Sequence, residues 1–444
     1  MAFPLALKQR SLVLPTPLSP FKDKNFGLFW SGAFLSSIGF WIQTVGQGWQ
    51  VLQLTNSALL LGCVSFAATL PNIVLSLFGG VVADRFNRRH LLIGTQIVYM
   101  TTATLLGIFT TLHIITVWQI IAMALINGTF SSVGFPAWQA FVGDLVQPER
   151  LKQGIALNSI QFNLSRVIGP AIGGISIGLF GIAGSYYLNA FSYVAVIIPL
   201  IIMRTLQKHH TSETPGVWRG IQAGLSYTRR RPSLQVALLL QFTIALLVFP
   251  YSVLLPIFAR DIFKTGPTGL GALNAAAGVG ALLGAISLVI LSRYLGRSMH
   301  LLITLCFVGG TTCVAFALST SREVSLLLLI ALGASAVMSM TVTNTTLQTM
   351  TPEHMRGRIL SIWILLAFGV APFGNLAAGW IAQLIGAPLT LAVAGGLCLV
   401  VTLFIALLWW QHTKQHLAND MLLTTELPLP QILAVSKGAR KGVV

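Results

Sequence analysis

The 444-residue chain carries too few charged residues to cover a surface that faces water on all sides. Hydrophobic residues make up 55% of it and charged residues 8%, whereas a soluble domain has about 25% charged residues. Composition therefore excludes a soluble globular domain and indicates an integral membrane protein.

Apolar runs long enough to cross a bilayer, which takes about 20 residues, follow one another along most of the chain. We predict twelve spans and hence an all-α integral membrane fold. A leader (1–25) precedes an N-terminal six-helix half (26–206), a basic linker (207–232), a C-terminal six-helix half (233–410) and a tail (411–444). The linker is expected to form a short amphipathic helix over 217–227. The predicted spans are 26–52, 58–83, 91–112, 114–139, 154–179, 183–206, 233–258, 268–292, 301–319, 324–349, 358–384 and 387–410.

The basic residues alternate between the two sides of these spans in a strongly uneven way. All of the 27 Lys and Arg residues except Arg166, Arg260, Lys264 and Arg322 lie in segments on the side of the amino terminus. The positive-inside rule then places both termini in the cytoplasm and the chain in the plasma membrane. Contact with anionic membrane lipid explains the net charge of +17 without a nucleic-acid partner.

The connection between the second and third spans is short and charged, between two runs that hold no charge (58–83 and 91–112). Glycines at a helix end allow close packing, and an Asp-Arg pair can lock that helix to its neighbours. The alternative is an ordinary basic cytoplasmic loop. The residue order is similar to the Gly-x-x-x-Asp-Arg-x-Gly-Arg-Arg loop of the major facilitator superfamily, with Asn87 in place of a glycine. The matching residues are Gly80, Asp84, Arg85, Arg88 and Arg89.

The two halves also repeat each other. Pro148-Glu149 and Pro352-Glu353 each follow an even-numbered span and open a helix, and a Gly-Pro cluster follows in each half. Parallel repeats of this kind are typical of such transporters. Over about residues 21–410 the chain resembles the bacterial drug and siderophore exporter branch of the superfamily, which includes the enterobactin and macrolide exporters.

Arg166 is the one basic residue inside a span. It lies about 18 Å into a hydrocarbon core about 30 Å thick, where a cation costs at least about 2.5 kcal/mol. It must therefore face the bundle interior or a wet cavity, either as a structural group bonded to backbone carbonyls or as a contact for an anionic or oxygen-rich substrate. Asn158 and Gln161 recur on its face at helical spacing.

Gly169, Pro170, Gly173 and Gly174 follow on the same span. They match the end of the Gly-Pro-x-x-Gly-Gly motif of antiporter-type exporters in the superfamily, and the resemblance implies export. A kink that merely improves helix packing is the alternative.

The first span carries Gln43 and Gln47 in a polar stripe beside Trp41 and Trp49. An amide that faces lipid costs free energy because its hydrogen bonds are unmade. The stripe is therefore expected either to line a cavity or to pair between helices. For five further amides, pairing between helices is the favoured interpretation: Asn127, Gln241, Asn344, Gln348 and Asn375.

The resemblance implies proton antiport, yet no Asp or Glu lies well inside a predicted span, and Asp144 is the nearest substitute. It also implies a gate on the cytoplasmic side that stabilises the outward-facing state. We expect the loop residues Gly80, Asp84, Arg85, Arg88 and Arg89 to form this gate with Asp144, Glu149 and Arg150.

The sequence as a whole predicts a monomeric secondary transporter that exports a small amphiphile by alternating access. Siderophore-like and drug-like substrates are the main expectations. A lysophospholipid flippase and a transport-inactive sensor are the alternatives. Because the spans lack paired acids, a Ser-His pair or a His cluster, we expect neither an enzyme nor a metal or cofactor site.

Overall fold

The computed structural model describes residues 18–203, 217–229, 231–291 and 298–425. Most of the predicted leader, part of the linker, the loop at 292–297 and the end of the tail lie outside these ranges. The α-helices are α1 (Lys24–Thr55), α2 (Ala58–Arg85), α3 (Arg88–Thr111), α4 (Val117–Leu145), α5 (Leu151–Ile202), α6 (Val217–Arg229), α7 (Pro232–Thr243), α8 (Tyr251–Ile257), α9 (Gly266–Leu291), α10 (Ser298–Leu318), α11 (Arg322–Met350), α12 (Glu353–Gly369), α13 (Ala371–Ile385) and α14 (Ala387–Thr425). Short 3-10 turns occupy Ser19–Lys22 and Pro148–Arg150.

Eleven helical segments among the described residues are long and apolar enough to cross a membrane. One of them contains α5, whose 52 residues would measure about 80 Å as a straight helix. It is broken at Gly181, where φ is 69° and ψ is −179°, so its two parts run in opposite directions. Two crossings in this segment bring the total to twelve, as the sequence predicts.

The helices form two six-span halves, the N-half (α1–α5) and the C-half (α7–α14), joined through α6. Small residues allow the closest approaches within each half. A Cβ added to Gly32 of α1 would lie 2.1 Å from the carbonyl oxygen of Ala195. In the C-half, a Cβ on Gly280 of α9 would lie 2.0 Å from the carbonyl oxygen of Ile330.

The halves meet most closely near the end of the bundle where α1 ends, which we call the distal end; α1 begins at the proximal end. Here α5 crosses α9 at Gly174 and Gly271, and α2 crosses α13 at Gly62 and Gly379. An added Cβ on either member of these pairs would lie 2.9 to 3.4 Å from the partner's Cα. The described contacts between the halves therefore close the distal end.

The first span of the C-half is irregular. π turns at Ile244–Val248 and Phe258–Ile262 flank the seven-residue α8. Pro250 and Pro256 lack an N–H group, so the helix cannot continue its regular hydrogen bonds through this segment. This span is therefore a series of short segments, α7, a π turn, α8 and a second π turn, and not one regular helix.

The amphipathic helix predicted for 217–227 is present as α6, which packs through Gly224 against Ile362 of α12. Helix α14 continues to Thr425, beyond the predicted end of the last span at residue 410.

Candidate functional site

A cavity of about 570 Å³ lies between the two halves. Its walls come from all helices of the N-half and from α8 and α9 of the C-half. Its polar and aromatic lining includes Trp41, Gln43, Gln47, Asn72, Tyr99, Asn127, Ser131, Arg166, Tyr193, Tyr251 and Asn274, together with Pro170.

Arg166 lies in the cavity wall on α5, half-buried. Its guanidinium is 5.9 Å from the ring centroid of Trp41, within the range of a cation–π interaction. Tyr251 of the C-half lines the same cavity, near enough for the Arg166 guanidinium to attract its hydroxyl electrostatically. Gly278 of α9 packs directly on the Arg166 backbone. The cation is thus held by aromatic and neutral partners at the boundary between the halves.

The glutamine stripe of α1 combines both roles that the sequence left open. Gln43 lines the cavity and accepts a 2.6 Å hydrogen bond from Asn189 of α5. Gln47 is a half-buried part of the cavity wall. Gln50, one turn further, accepts a 2.6 Å bond from Tyr186 and donates a 2.8 Å bond to Thr110. The stripe therefore passes from cavity lining to pairing between helices.

Asn158 and Gln161, expected in the cavity, are engaged elsewhere. Asn158 accepts a hydrogen bond of 3.3 Å from the indole N–H of Trp138 in α4. Gln161 is buried and donates to the Ala33 carbonyl oxygen and to the Ser37 hydroxyl of α1, at 3.0 and 2.6 Å. These two side chains therefore face α4 and α1, and they are not among the residues that line the cavity.

The cavity wall formed by α2, α3, α4 and the second part of α5 is polar but uncharged. Asn72 donates to the Ser131 hydroxyl at 3.3 Å. Asn127 accepts a 2.8 Å hydrogen bond from Thr102. The rings of Tyr99 and Tyr193 lie 5.8 Å apart on the same side. We call this surface the neutral wall.

The Gly-Pro cluster of α5 lies against two different helices. Gly169 and Gly173 face α1, where added Cβ atoms would lie 2.5 Å from Trp41 Cβ and 3.1 Å from Ile42 Cα. Gly174 faces α9, and a Cβ there would lie 2.7 Å from the Pro267 carbonyl oxygen. Pro170 lines the cavity. The cluster thus sets how closely α5 approaches α1 within the N-half and α9 in the C-half.

At the proximal end, Arg88 forms an ion pair with Asp144 at 3.0 Å. Arg89 donates to the carbonyl oxygens of Leu200 and Ile201 at the end of α5. Arg150 pairs with Asp23 at 3.2 Å. Arg85 and Glu149 are exposed. The side chain of Asp84 and the surroundings of Gly80 lie outside the described part of the structure.

At the distal end, two side-chain contacts that the sequence did not predict join the halves. Arg260 of the C-half donates to the Leu52 carbonyl oxygen and to Asn56 Oδ1 at the end of α1, at 3.0 and 2.6 Å. Gln383 of α13 accepts bonds from the Ser57 hydroxyl and the Ala58 N–H at the start of α2, at 3.0 and 2.8 Å.

Tyr251 and Asn274 complete the cavity from the C-half and were also missed from the sequence. The available signal for Tyr251 was its position directly after Pro250, with Pro256 five residues later in an otherwise apolar span. Two prolines in one span indicate a distorted helix, and distorted helices in membranes commonly line cavities.

Two six-span helical halves around a central cavity, with a half-buried arginine in its wall, form the architecture expected of a transporter of the major facilitator superfamily. The chain matches the transmembrane secretion effector family of this superfamily over residues 15–444, and it belongs to that family.

Three named transporters are similar to this chain over most of their length. The staphyloferrin A transporter of Staphylococcus aureus is 25% identical over 378 residues, which cover 84% of this chain and 94% of the relative. The multidrug efflux pump Tap of Mycolicibacterium fortuitum is 26% identical over 364 residues, covering 80% and 88%. Macrolide efflux protein A of Streptococcus pyogenes is 22% identical over 384 residues, covering 85% and 94%.

Solved structures share the fold at lower identity. A bacterial homologue of the lysosomal transporter Spinster superimposes with a TM-score of 0.70 at 12% identity, covering 87% of this chain and 97% of the other. The nucleoside transporter NupG gives a TM-score of 0.68 at 12% identity, covering 87% and 99%. The chain is therefore a multi-pass membrane protein and a secondary transporter of small molecules.

Proposed function

We propose that this transporter exports a neutral or anionic amphiphile, siderophore-like or drug-like, across the plasma membrane by alternating access. The observation that carries the proposal is Arg166, a fixed cation in the wall of the cavity between the halves. No acidic residue is among the described residues that line this cavity.

The charge of the cavity favours one class of substrate. A guanidinium stays protonated and donates several N–H groups in a planar fork, which matches a carboxylate. Such charge-assisted bonds are stronger inside a protein than in water. A cationic amphiphile would meet repulsion from Arg166 and no described carboxylate in compensation. We therefore place siderophore-like anions ahead of cationic drugs.

The rest of the cavity suits the body of an amphiphile. Trp41 and Tyr251 offer apolar faces beside the cation, and the neutral wall offers hydroxyl and amide groups. The similarity to the staphyloferrin A transporter and to drug efflux proteins supports export of such molecules. The Gly-Pro cluster of α5, which resembles the antiporter motif, supports the same direction.

The charge distribution supports a cytoplasmic proximal end with both termini inside. A monomer surrounded by lipid is part of the proposal. The closed distal end then corresponds to a cytoplasm-facing state. The proximal residues Asp84, Arg85, Arg88, Arg89, Asp144, Glu149 and Arg150 are proposed to stabilise the opposite, outward-facing state. Protons are the coupling ion that the family resemblance implies, with Asp144 as the nearest candidate carrier.

The experiment compares a strain that lacks the gene with its parent during iron starvation, by mass spectrometry of cells and medium. We expect an iron-chelating anion to accumulate inside the deletion strain. The wild-type gene should restore its secretion, and an Arg166→Gln variant of equal membrane abundance should not.

Two results would contradict the proposal. Equal secretion by all strains, combined with accumulation of added cationic dyes in the deletion strain, would reassign the protein to cationic drug efflux. Retention of lysophospholipid in the inner leaflet would reassign it to lipid transport.

A further inference from the structure

The helix that carries Tyr251 reaches both the cavity and the distal closure. Tyr251 is the first residue of α8, is buried and faces Arg166 across the boundary between the halves. Arg260 lies three residues after the end of α8 and binds the end of α1. Arg260 lies nine positions after Tyr251, about 13 Å along the axis at the regular rise.

This short segment is separated from the rest of the C-half by irregular backbone on both sides. The π turns at Ile244–Val248 and Phe258–Ile262 hold the only π-helical residues in the described ranges. Such turns are rare and concentrate at functional sites. Pro250 and Pro256 remove two further backbone donors. Arg260 lies within the second π turn, so a shift of α8 acts directly on the turn that carries Arg260.

We infer that Tyr251 responds to an anion bound at Arg166 and that α8 transmits this response to the Arg260 contact that closes the distal end. The inference rests on the proposed anionic substrate. Tyr251 then has a positioning role, because it acts on the substrate through Arg166 and on the distal Arg260 contact through α8.

The contacts of Arg166 and Tyr251 indicate the order in which substrate binding and movement of α8 occur. In the present state, the Tyr251 hydroxyl and the Arg166 guanidinium share one cavity and attract each other electrostatically. A substrate carboxylate that takes the guanidinium N–H groups in a bidentate manner is a stronger partner and displaces the phenol. Tyr251 then no longer holds the start of α8 against α5, and the segment is free to shift with the C-half.

Arg260 can release α1 and still keep a charged partner. Its Nε and Nη2 groups donate to the two carboxylate oxygens of Asp261 at 2.7 and 3.1 Å, within the same segment. Its bonds to α1 go to two uncharged oxygens, of Leu52 and Asn56. Breaking the contact between the halves therefore leaves the ion pair intact.

Gln383 provides a matched control. It also joins the halves at the distal end, through Ser57 and Ala58, but it belongs to α13 and not to the helical segment that carries Tyr251 and Arg260. Loss of Gln383 should loosen the distal end without removing the response to substrate.

The test measures the distance between spin labels on two distal loops in the full-length protein in lipid nanodiscs. Ile114→Cys and Thr320→Cys place the labels at exposed positions of opposite halves, in a background with the four native cysteines replaced by alanine. Carboxyfluorescein serves as the anionic amphiphile, and rhodamine 6G, which has a related ring system, as its cationic counterpart. Fluorescence polarisation of both dyes gives their affinities.

In the wild type, carboxyfluorescein should lengthen the distal distance and rhodamine 6G should not. Tyr251→Phe should show the longer distance without ligand, respond little to carboxyfluorescein, and bind it several-fold more tightly because the phenol no longer competes for Arg166. Arg260→Gln should also open without ligand. Gln383→Ala should open partly and still respond to carboxyfluorescein.

A Tyr251→Phe protein with wild-type distances, both free and with carboxyfluorescein, would overturn the inference. A different result would overturn the proposed substrate class: unchanged carboxyfluorescein binding in Arg166→Gln. In that case the ligand-free distances of Tyr251→Phe and Arg260→Gln still decide whether α8 controls the distal contact.

Discussion

Arg88 donates through Nη1 to both carboxylate oxygens of Asp144, at 3.1 and 3.0 Å. This pair ties the first residue of α3 to the last turn of α4. The two side chains are only 12% and 13% exposed, so solvent screens the attraction weakly.

Replacing Asp144 by Asn should therefore destabilise the N-half by about 2 kcal/mol, the typical value of a hydrogen bond to a charged group. A lower thermal unfolding midpoint of the purified protein and a slower rate of transport are the expected results. The exchanged pair Arg88→Asp with Asp144→Arg should recover part of the loss. Strictly additive effects of the two single changes in a double-mutant cycle would show that the contact contributes nothing.

Arg89 and Arg85 belong to the same basic loop but should respond differently to replacement. Arg89 donates to the carbonyl oxygens of Leu200 and Ile201, where a helix end carries unsatisfied acceptors and a partial negative charge. Arg89→Ala should lower stability by about 1–2 kcal/mol.

Arg85 is exposed and serves as the matched control. Arg85→Ala should leave the unfolding midpoint unchanged, and any loss of transport in that variant reports on gating. The comparison needs both proteins purified in the same detergent. Equal midpoints for the two variants would remove the capping role of Arg89.

The course of the helices was largely predictable from the sequence, because bilayer thickness dictates the length of an apolar run. The partners of polar residues inside the bundle were not. Gln43 and Gln50 lie on one stripe of α1, yet one borders the cavity and the other is enclosed by Tyr186 and Thr110. Which residues of a stripe meet a cavity depends on helices that are distant in the sequence, 60 residues away for Thr110 and 136 for Tyr186.

Contacts at the distal end were unpredictable for a related reason. Arg260 follows an apolar span like any interfacial arginine, and nothing local indicates that it caps α1 of the other half. Two π turns and two prolines lie in the span that leads to Arg260. The effect of such residues on the direction of a helix depends on packing. The Arg88–Asp144 contact, by contrast, joins residues that the sequence had already grouped in one expected gate.

The crossing of α5 and α9 should tolerate no side chain at Gly174. A Cβ there would lie 2.7 Å from the Pro267 carbonyl oxygen and 3.0 Å from Thr268 Cα, both backbone atoms that cannot rotate away. Gly174→Ala should therefore disfavour the closed distal end by about 1–3 kcal/mol, which is about 5–150-fold in the equilibrium between states.

Gly178, one turn further on α5, provides the control, because a Cβ there would meet only Thr268 Cγ2 at 3.9 Å. Gly178→Ala should keep wild-type behaviour. The spin-label distance between the distal loops reports the equilibrium for both variants. A Gly174→Ala protein with the wild-type distance distribution would show that the helices separate without cost.

The final prediction separates the charge of Arg166 from its shape. Arg166→Lys keeps a cation in the cavity but loses the planar fork that binds a carboxylate through two N–H groups and stacks near Trp41. If the substrate binds through a bidentate contact, Arg166→Lys should weaken carboxyfluorescein binding by about 1–2 kcal/mol, or about 5–30-fold, and Arg166→Gln by more. Simple charge attraction would instead leave the lysine variant close to wild type. Polarisation titrations at two salt concentrations distinguish these cases, since screening weakens a purely electrostatic contact more than a directional one.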